Sequence, residues 1–342
     1  MSAAINTRIV LASRPSGEPV AENFRLEHVP LPVPRNGQVL LSNRWLSLDP
    51  YMRGRLNAGR SYAAPVEIDE VIEGGTVSEV VQSLHPDWAP GDLVLSHAGW
   101  QTHAVVDGDQ LRRKLDPDGP PPSTALGVYG MPGFTAYAGL REIGKPVAGE
   151  TLVVAAASGP VGATVGQIAR MSGARVVGIA GGAAKVAYLR DTLGFDVALD
   201  HRAGDFAAQL AAACPDGIDV YFENVGGKVF DAVLPLLNDF ARVPVCGTVS
   251  SYNQRGEPEP GPDRAPALLN QILRQRLTLR GFIVRDFIKL YPEFLREMGA
   301  WLRDGRIRYR EDIIEGLEHA PQGLIGLLRG DNFGKRLVRI RD

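Results

Sequence analysis

Thr151-Leu152-Val153-Val154-Ala155-Ala156-Ala157-Ser158-Gly159-Pro160-Val161-Gly162-Ala163-Thr164-Val165-Gly166-Gln167-Ile168-Ala169-Arg170-Met171 changes texture twice. Leu152 to Ala156 is an apolar run the length of a buried strand. Ala157 to Gly162 is a tight turn of small residues. Val161, Val165, Ile168 and Ala169 then fall on one helical stripe. Strand, glycine turn and helix in that order form the entry to a dinucleotide-binding unit. Gly159 lets the backbone approach a pyrophosphate, and Gly162 lets the helix pack on the strand. The helix N-terminus offers free N–H groups and partial positive charge to phosphates. The full pattern is G-x-G-x-x-G, and its first glycine is Ala157 here. Such a turn also occurs in α/β sheets that bind no nucleotide; its place between strand and helix is what gives it weight.

Strand and helix patterns alternate after this stretch. Arg175–Ala180, Asp196–Asp200, Ile218–Glu223, Ala241–Cys246 and Leu277–Ile283 read as strands. Helical patterns at 183–193, 205–213 and 228–237 separate the first four. A helix is also expected at 133–144. This is an α/β succession, a Rossmann-type doubly wound parallel sheet. Ligands of such sheets bind at the carboxyl ends of the strands. Upstream the texture is β-rich: Arg8–Ala12, Phe24–Val29, Gln38–Trp45, Val71–Val81, Gly91–Ser96 and Gln101–Val106 suggest a small barrel or sandwich. Asp116 to Pro122 marks the boundary. An extended loop is expected over 254–266, rich in Pro, Gly and charge. A helix over 291–304 and a strand over 336–340 complete the chain.

At 342 residues the length suits two domains. A net charge of -2 gives no reason to expect nucleic acid or an anionic membrane. No run of about 18 apolar residues occurs, so no membrane span is expected. The N-terminus shows no signal-peptide core. Cys214 and Cys246 have no metal-like spacing, and a cytoplasmic location is the default. His28, His85, His97 and His103 show no metal spacing either, so no metal site is expected.

An NAD-binding unit places an acid at the end of its second strand to hold the ribose hydroxyls. Here that strand ends Ile179-Ala180-Gly181-Gly182, and Lys185 follows within a turn. A missing carboxylate beside a cation suits a 2′-phosphate, hence NADP(H). The alternative is that Lys185 is a solvated helix residue.

Six ordered motifs join the nucleotide turn. They are Asp49-Pro50-Tyr51-Met52-Arg53-Gly54, Gly130-Met131-Pro132-Gly133-Phe134-Thr135-Ala136-Tyr137, Tyr221-Phe222-Glu223-Asn224-Val225-Gly226-Gly227, Ser250-Ser251-Tyr252-Asn253, Gly281-Phe282-Ile283-Val284 and Asn332-Phe333-Gly334-Lys335. Over nearly its whole length the chain resembles the zinc-free branch of the medium-chain dehydrogenase/reductases. Within it, the chain is similar to the leukotriene hydroxydehydrogenase/prostaglandin reductase group and the alkenal double-bond reductases. The resemblance implies a split GroES-like catalytic domain, a distorted barrel of residues 1–126 and 287–342, around a Rossmann NADP-binding domain of residues 127–286. It implies a homodimer joined through the Rossmann domains. It implies cofactor contacts at Thr135, Ser158, Gly159, Pro160, Val161, Gly162, Gly181, Lys185, Asn224, Cys246, Gly247, Tyr252, Phe282, Ile283, Val284 and Asn332. A tyrosine stands in the family where His201 is here, so His201 either meets the phosphate or faces solvent.

Without a metal, charge on a substrate carbonyl must be met by a hydrogen-bond donor. Tyr252 follows the fifth strand on the ligand side and matches the family's active-site tyrosine; it is the catalytic candidate. Tyr51, Arg53 and Tyr62 are candidate substrate contacts, with Tyr137 a weaker one. Arg53 either lines the substrate site or bonds loop carbonyls. The implied activity is NADPH-dependent reduction of the C=C bond of an enal or enone. Quinone reduction, or NADPH binding without turnover, are the alternatives.

Overall fold

The computed structural model describes residues 5–59, 61–254 and 263–341. The chain divides into two compact units, Met1–Gly127 with Glu311–Asp342, and Val128–Arg310.

The first unit is β-rich, the GroES-like half expected. Strands β1 (Ile5–Leu11) and β2 (Phe24–Pro30) pair antiparallel. Strand β3 (Gln38–Ser47) precedes the one-turn helix α1 (Met52–Arg55). Strands β4 (Thr76–Ser83), β5 (Leu93–Ser96), β6 (His103–Asp107) and β7 (Arg113–Lys114) follow. β3 pairs antiparallel with both β4 and β6. The strand expected from Val71 begins only at Thr76; Val71 itself makes a single bridge to Val10. Gly74 and Gly75 offer no side chains to a pleated surface, so the ladder starts after them.

The second unit runs through α2 (Met131–Gly139), β8 (Thr151–Val154), α3 (Pro160–Met171), β9 (Arg175–Ala180), α4 (Ala183–Ala187) and β10 (Val197–Asp200). It continues with α5 (Phe206–Ala213), β11 (Ile218–Phe222), α6 (Gly227–Val233), β12 (Leu237–Val245), α7 (Ala265–Gln275), β13 (Thr278–Gly281) and α8 (Tyr291–Arg303). All the strand pairs are parallel, in the order β10-β9-β8-β11-β12-β13. This is the Rossmann order, with the chain reversing direction across the sheet beside β8. Leu152 and Val154 enter a core with Val165, Val176 and Phe222, while Val153 and Ala155 enter the opposite one with Val177, Ile179 and Tyr221. Both faces are covered, which is why β8 reads as an unbroken apolar run. Each fully buried Val or Leu stabilises this arrangement by about 1.5–3 kcal/mol.

The chain returns to the first unit through β14 (Glu311–Glu315), α9 (Ala320–Arg329) and β15 (Lys335–Arg339). β15 pairs parallel with β14 and antiparallel with β3. The return therefore falls at residue 311 rather than the expected 287. Helix α8 keeps the intervening residues in the second unit, because Phe294 and Met298 are buried with Val128, Phe134, Tyr137 and Ile307. Helix α7 occupies the end of the expected 254–266 loop, with Pro266 in its first turn, where proline needs no N–H partner. Residues 255–262 of that loop lie outside the described residues.

Candidate active site

The turn after β8 is built for close approach. Gly159 caps α3 in an extended conformation, with φ -78° and ψ 169°. A Cβ on Gly162 would stand 2.6 Å from the Ala156 carbonyl oxygen and 2.7 Å from Ala157 Cα. Only glycine lets α3 sit this tightly on the turn. Ala156 adopts the left-handed region at φ 49°, and Ala157 N–H donates to Ile179 O at 2.9 Å. The helix N-terminus is thereby fixed at the carboxyl end of β8, with Ser158 to Gly162 around it.

The neighbouring strand ends converge on the same edge. Asn224, just past β11, donates its amide to Ala155 O at 2.8 Å, tying that end to β8. Cys246, just past β12, donates its thiol to Asn224 Oδ1 at 3.1 Å. Its thiol pKa is pushed up to about 12 by burial and by Glu223, so the thiol is neutral at pH 7. Glu223 is buried, and one carboxyl oxygen accepts from Val225 N, Gly226 N and Tyr221 Oη at 2.6, 2.8 and 3.0 Å. Burial raises its pKa against those hydrogen bonds. Glu223 thus holds the turn that presents Asn224 and Gly226; the sequence pattern showed the motif but not this role.

Tyr252 follows a short turn, Val249–Ser251, after β12. The turn is pinned by Val249 N to Asn224 O at 3.3 Å and Ser250 Oγ to Val225 O at 2.6 Å. A Cβ on Gly247 would lie 3.2 Å from Tyr252 Oη. The phenol therefore folds back over the carboxyl end of β12, among the other strand ends.

At the end of β9 the chain turns through Gly181 and Gly182, the latter at φ 92°. A Cβ on Gly181 would stand 2.8 Å from His201 Nε2 and 2.9 Å from Arg202 Nε. Lys185 is near enough for its charge to act on His201. The structure brings His201 and Arg202 together against Gly181, where no carboxylate follows the strand. Arg202 was not anticipated from sequence; its signal is the Asp200-His201-Arg202 run at the end of the strand adjoining β9.

Other candidates are placed differently. Phe282 is a core residue, edge-on to Phe222 at 6.3 Å, and its backbone alone reaches the sheet edge, through Phe282 N to Val245 O at 3.3 Å. Ile283 and Val284 follow it into a short helical turn. Thr135 donates to Met131 O at 2.8 Å, and Tyr137 donates to Glu297 Oε2 at 3.0 Å; both hydroxyls serve the second unit's own packing.

Tyr51, Arg53, Tyr62 and Asn332 belong to the first unit. Tyr51 has its pKa raised by burial and by Asp49, Glu73 and Tyr62, so it is a neutral donor with Tyr62 nearby. Tyr62 is 60% exposed. Arg53 is 1% exposed and donates to Gly17 O at 2.6 Å and Asn57 Oδ1 at 2.6 Å. The Gly17 bond is of the loop-bonding kind. Asn332 donates to Gly334 O at 2.8 Å within its own turn. Among the described residues no group of three or more His, Cys, Asp or Glu is placed to hold a metal ion.

A Rossmann sheet whose strand ends carry a glycine turn, cationic side chains and a phenol defines a nucleotide-dependent oxidoreductase. The residues fit a dinucleotide with a 2′-phosphate: close backbone approach at Gly159 and Gly162, and cations at Gly181 instead of an acid. Family models agree over both units, "N-terminal domain of oxidoreductase" at residues 7–113 and "Zinc-binding dehydrogenase" at residues 160–300. The chain is 60% identical to NADPH-dependent curcumin reductase of Escherichia coli, over 98% of this chain and 97% of that protein. It is 39% identical to the NADP(+)-dependent 2-alkenal reductase of Nicotiana tabacum, over 98% and 97%. The crystal structure of CurA from Vibrio vulnificus in complex with NADPH matches with a TM-score of 0.94 at 54% identity, over 98% and 99%. The chain belongs to the zinc-free branch of the medium-chain dehydrogenase/reductases. The second model's description names zinc, yet its matched span contains only Cys214 and Cys246 of the cysteines.

Proposed function

We propose that this NADPH-dependent reductase saturates the C=C bond of α,β-unsaturated aldehydes and ketones, with Tyr252 as the donor to the substrate oxygen. The observation that carries the reading is the Tyr252 hydroxyl folded over Gly247 at the carboxyl end of β12. When bound along these strand ends, NADPH supplies a hydride, which the β-carbon of the substrate receives. Negative charge then collects on the carbonyl oxygen. A phenol aimed from the strand ends donates to that oxygen as it becomes an enolate, and a proton reaches the α-carbon. The neutral Cys246 thiol donates to Asn224. Glu223 and Asn224 fix the turn beside Tyr252. The names of the similar proteins, a curcumin reductase and a 2-alkenal reductase, support an enone or enal substrate. The test is product analysis on a panel of enals, enones and quinones. Saturated carbonyl products are expected; alcohols from carbonyl reduction, or turnover of quinones alone, would overturn the reading.

A further inference from the structure

The end of α3 away from the nucleotide turn opens into a cleft of about 510 Å³. Three parts of the second unit frame it: the last turns of α3, the turn at 191–194, and the segment 305–308 after α8. The frame is fixed through backbone. Buried Gln167 accepts from Arg308 N at 2.8 Å and donates to Arg308 O at 2.9 Å, clamping the segment to α3. Arg306 N and Ile307 N both donate to Trp301 O, at 2.8 and 3.2 Å. Ile307 is buried, and Arg306 and Arg308 on either side of it are exposed and line the cleft with Arg170.

These three charges are not answered from within. Arg170 Nη1 donates to Leu193 O at 3.5 Å, and Arg308 Nη1 donates to Thr192 O at 3.2 Å. Neither guanidinium pairs with a carboxylate among the described residues. Arg306 makes no side-chain hydrogen bond or ion pair among them at all. The carboxylate that lines the cleft, Asp191, is taken by Arg190, whose Nε and Nη2 donate to its two oxygens at 2.7 and 3.2 Å. Packing explains two of the three: Arg170 suits the negative end of the α3 dipole, and Arg308 tethers the turn before β10. It does not explain Arg306, or why like charges share one cleft.

We infer that this cleft is a second binding site, for a small polyanion of the phosphate class held by Arg170, Arg306 and Arg308. Guanidinium forks meet phosphate oxygens in pairs, and several forks around one space suit a ligand with more than one charge. A volume of this order fits a small molecule. The site lies roughly 16 Å along α3 from the nucleotide turn, at 1.5 Å per residue, so it is separate from the cofactor's own phosphates.

The experiment is calorimetric titration of the full-length protein, saturated with NADPH so that the nucleotide site is filled, with pyrophosphate, tripolyphosphate and ADP. One pyrophosphate per chain is expected. Arg306→Ala and Arg170→Ala should each weaken it about tenfold or more. Arg35→Ala, an exposed arginine of the first unit, should not. Arg306→Ala should also keep the parent's melting temperature and NADPH affinity. ADP bound more tightly than tripolyphosphate indicates a nucleotide as the source, and the reverse indicates free polyphosphate; either upholds the site. No heat from any of the three probes overturns it, as does parent-like binding in Arg306→Ala. An equal loss in Arg35→Ala would show only general charge attraction and also refute it. Binding of a single-stranded RNA oligomer without binding of pyrophosphate would refute the small-anion assignment.

Discussion

Lys335 donates from a buried ammonium to Asp49 Oδ1 at 2.7 Å, joining the last strand of the chain to the loop after β3. The same ammonium donates to Leu48 O at 2.8 Å, and Ser47 Oγ donates to the other Asp49 oxygen. Burial lowers the Lys335 pKa, while Asp49 and Glu311 act to raise it. Asp49 opens the segment that carries Tyr51, and Met52 N donates to Asp49 O at 3.1 Å. Removing one partner of a buried pair strands the other charge, at a cost of about 3–5 kcal/mol. Lys335→Met is therefore expected to lower the denaturation midpoint strongly, and Lys335→Met with Asp49→Leu to recover most of the loss. In the single variant KM for an enone should rise while NADPH affinity stays. A midpoint equal to the parent's would show that the pair does not hold this loop.

The sequence carries some of this and hides the rest. The stretch Thr151–Met171 is legible because three local signals agree: an apolar run, a small-residue turn and a 3.6-residue stripe. The place of Tyr252 is legible only in part: it follows β12, but the short turn Val249–Ser251 between them, which folds the phenol back over Gly247, is not. The place of Arg202 beside Gly181 is not legible, since it depends on β10 lying beside β9, a tertiary fact. Arg53 stays ambiguous in sequence because its partner, Gly17 O, is 36 residues away. Helix α7 is masked by the Pro-rich run before it, although Leu268, Leu269, Ile272 and Leu273 follow helical spacing. The 287 boundary fails for a similar reason: α8 is amphipathic on either side of a boundary, and only its packing on Phe134 and Tyr137 decides its unit.

Cofactor binding should depend on pH through His201. Partial burial holds its pKa below the ordinary histidine value, and the charges of Arg202 and Lys185 add to this, with Asp200 opposing. It is thus mainly neutral at pH 7 before binding. A phosphate charge beside it favours the protonated ring, so binding raises its pKa and takes up a proton. NADPH affinity relative to NADH is then expected to rise as pH falls from about 8 to 6.5, above the phosphate's own second pKa of about 6. Calorimetry in two buffers of different ionisation enthalpy reads the proton uptake, and His201→Gln should abolish it. Equal NADPH-to-NADH ratios at both pH values would refute this role for His201.

Activity is expected to survive exhaustive chelation, because the described residues offer no metal-binding cluster and a zinc site needs three or four such ligands. The check is elemental analysis alongside turnover. About one zinc per chain, with activity lost on its removal and restored by its return, would overturn the proposed chemistry.

A homodimer through the second unit is expected. β13 ends its sheet and pairs with β12 alone among the described residues. Helix α7, which leads into it, leaves Leu269 64% and Leu273 76% exposed. A free edge beside exposed leucines invites a second copy, and a two-fold pairing of the edge would close it. Light scattering should give twice the chain mass at micromolar concentration, and Leu269→Glu with Leu273→Glu should halve it. A parent protein that runs as a monomer would refute the pairing.

The reaction itself is tested at Tyr252. Its hydroxyl lies over Gly247 at the carboxyl end of β12, where a substrate carbonyl can be met as charge develops on it. Loss of one such donor lowers kcat by about 10²–10³. Tyr252→Phe keeps the ring and removes only the hydroxyl, so kcat should fall by that factor with little change in NADPH affinity. Deuterated NADPH tells where the hydride goes. Deuterium at the β-carbon of a saturated aldehyde or ketone supports alkene reduction; deuterium on the carbonyl carbon means alcohol formation and refutes it. Should Tyr252→Phe keep full kcat with deuterium still at the β-carbon, the reaction stands and the tyrosine's role falls. The charge on oxygen would then have to be met by water or by a hydroxyl of the cofactor ribose, and kcat would depend on the solvent isotope in the parent and the variant alike.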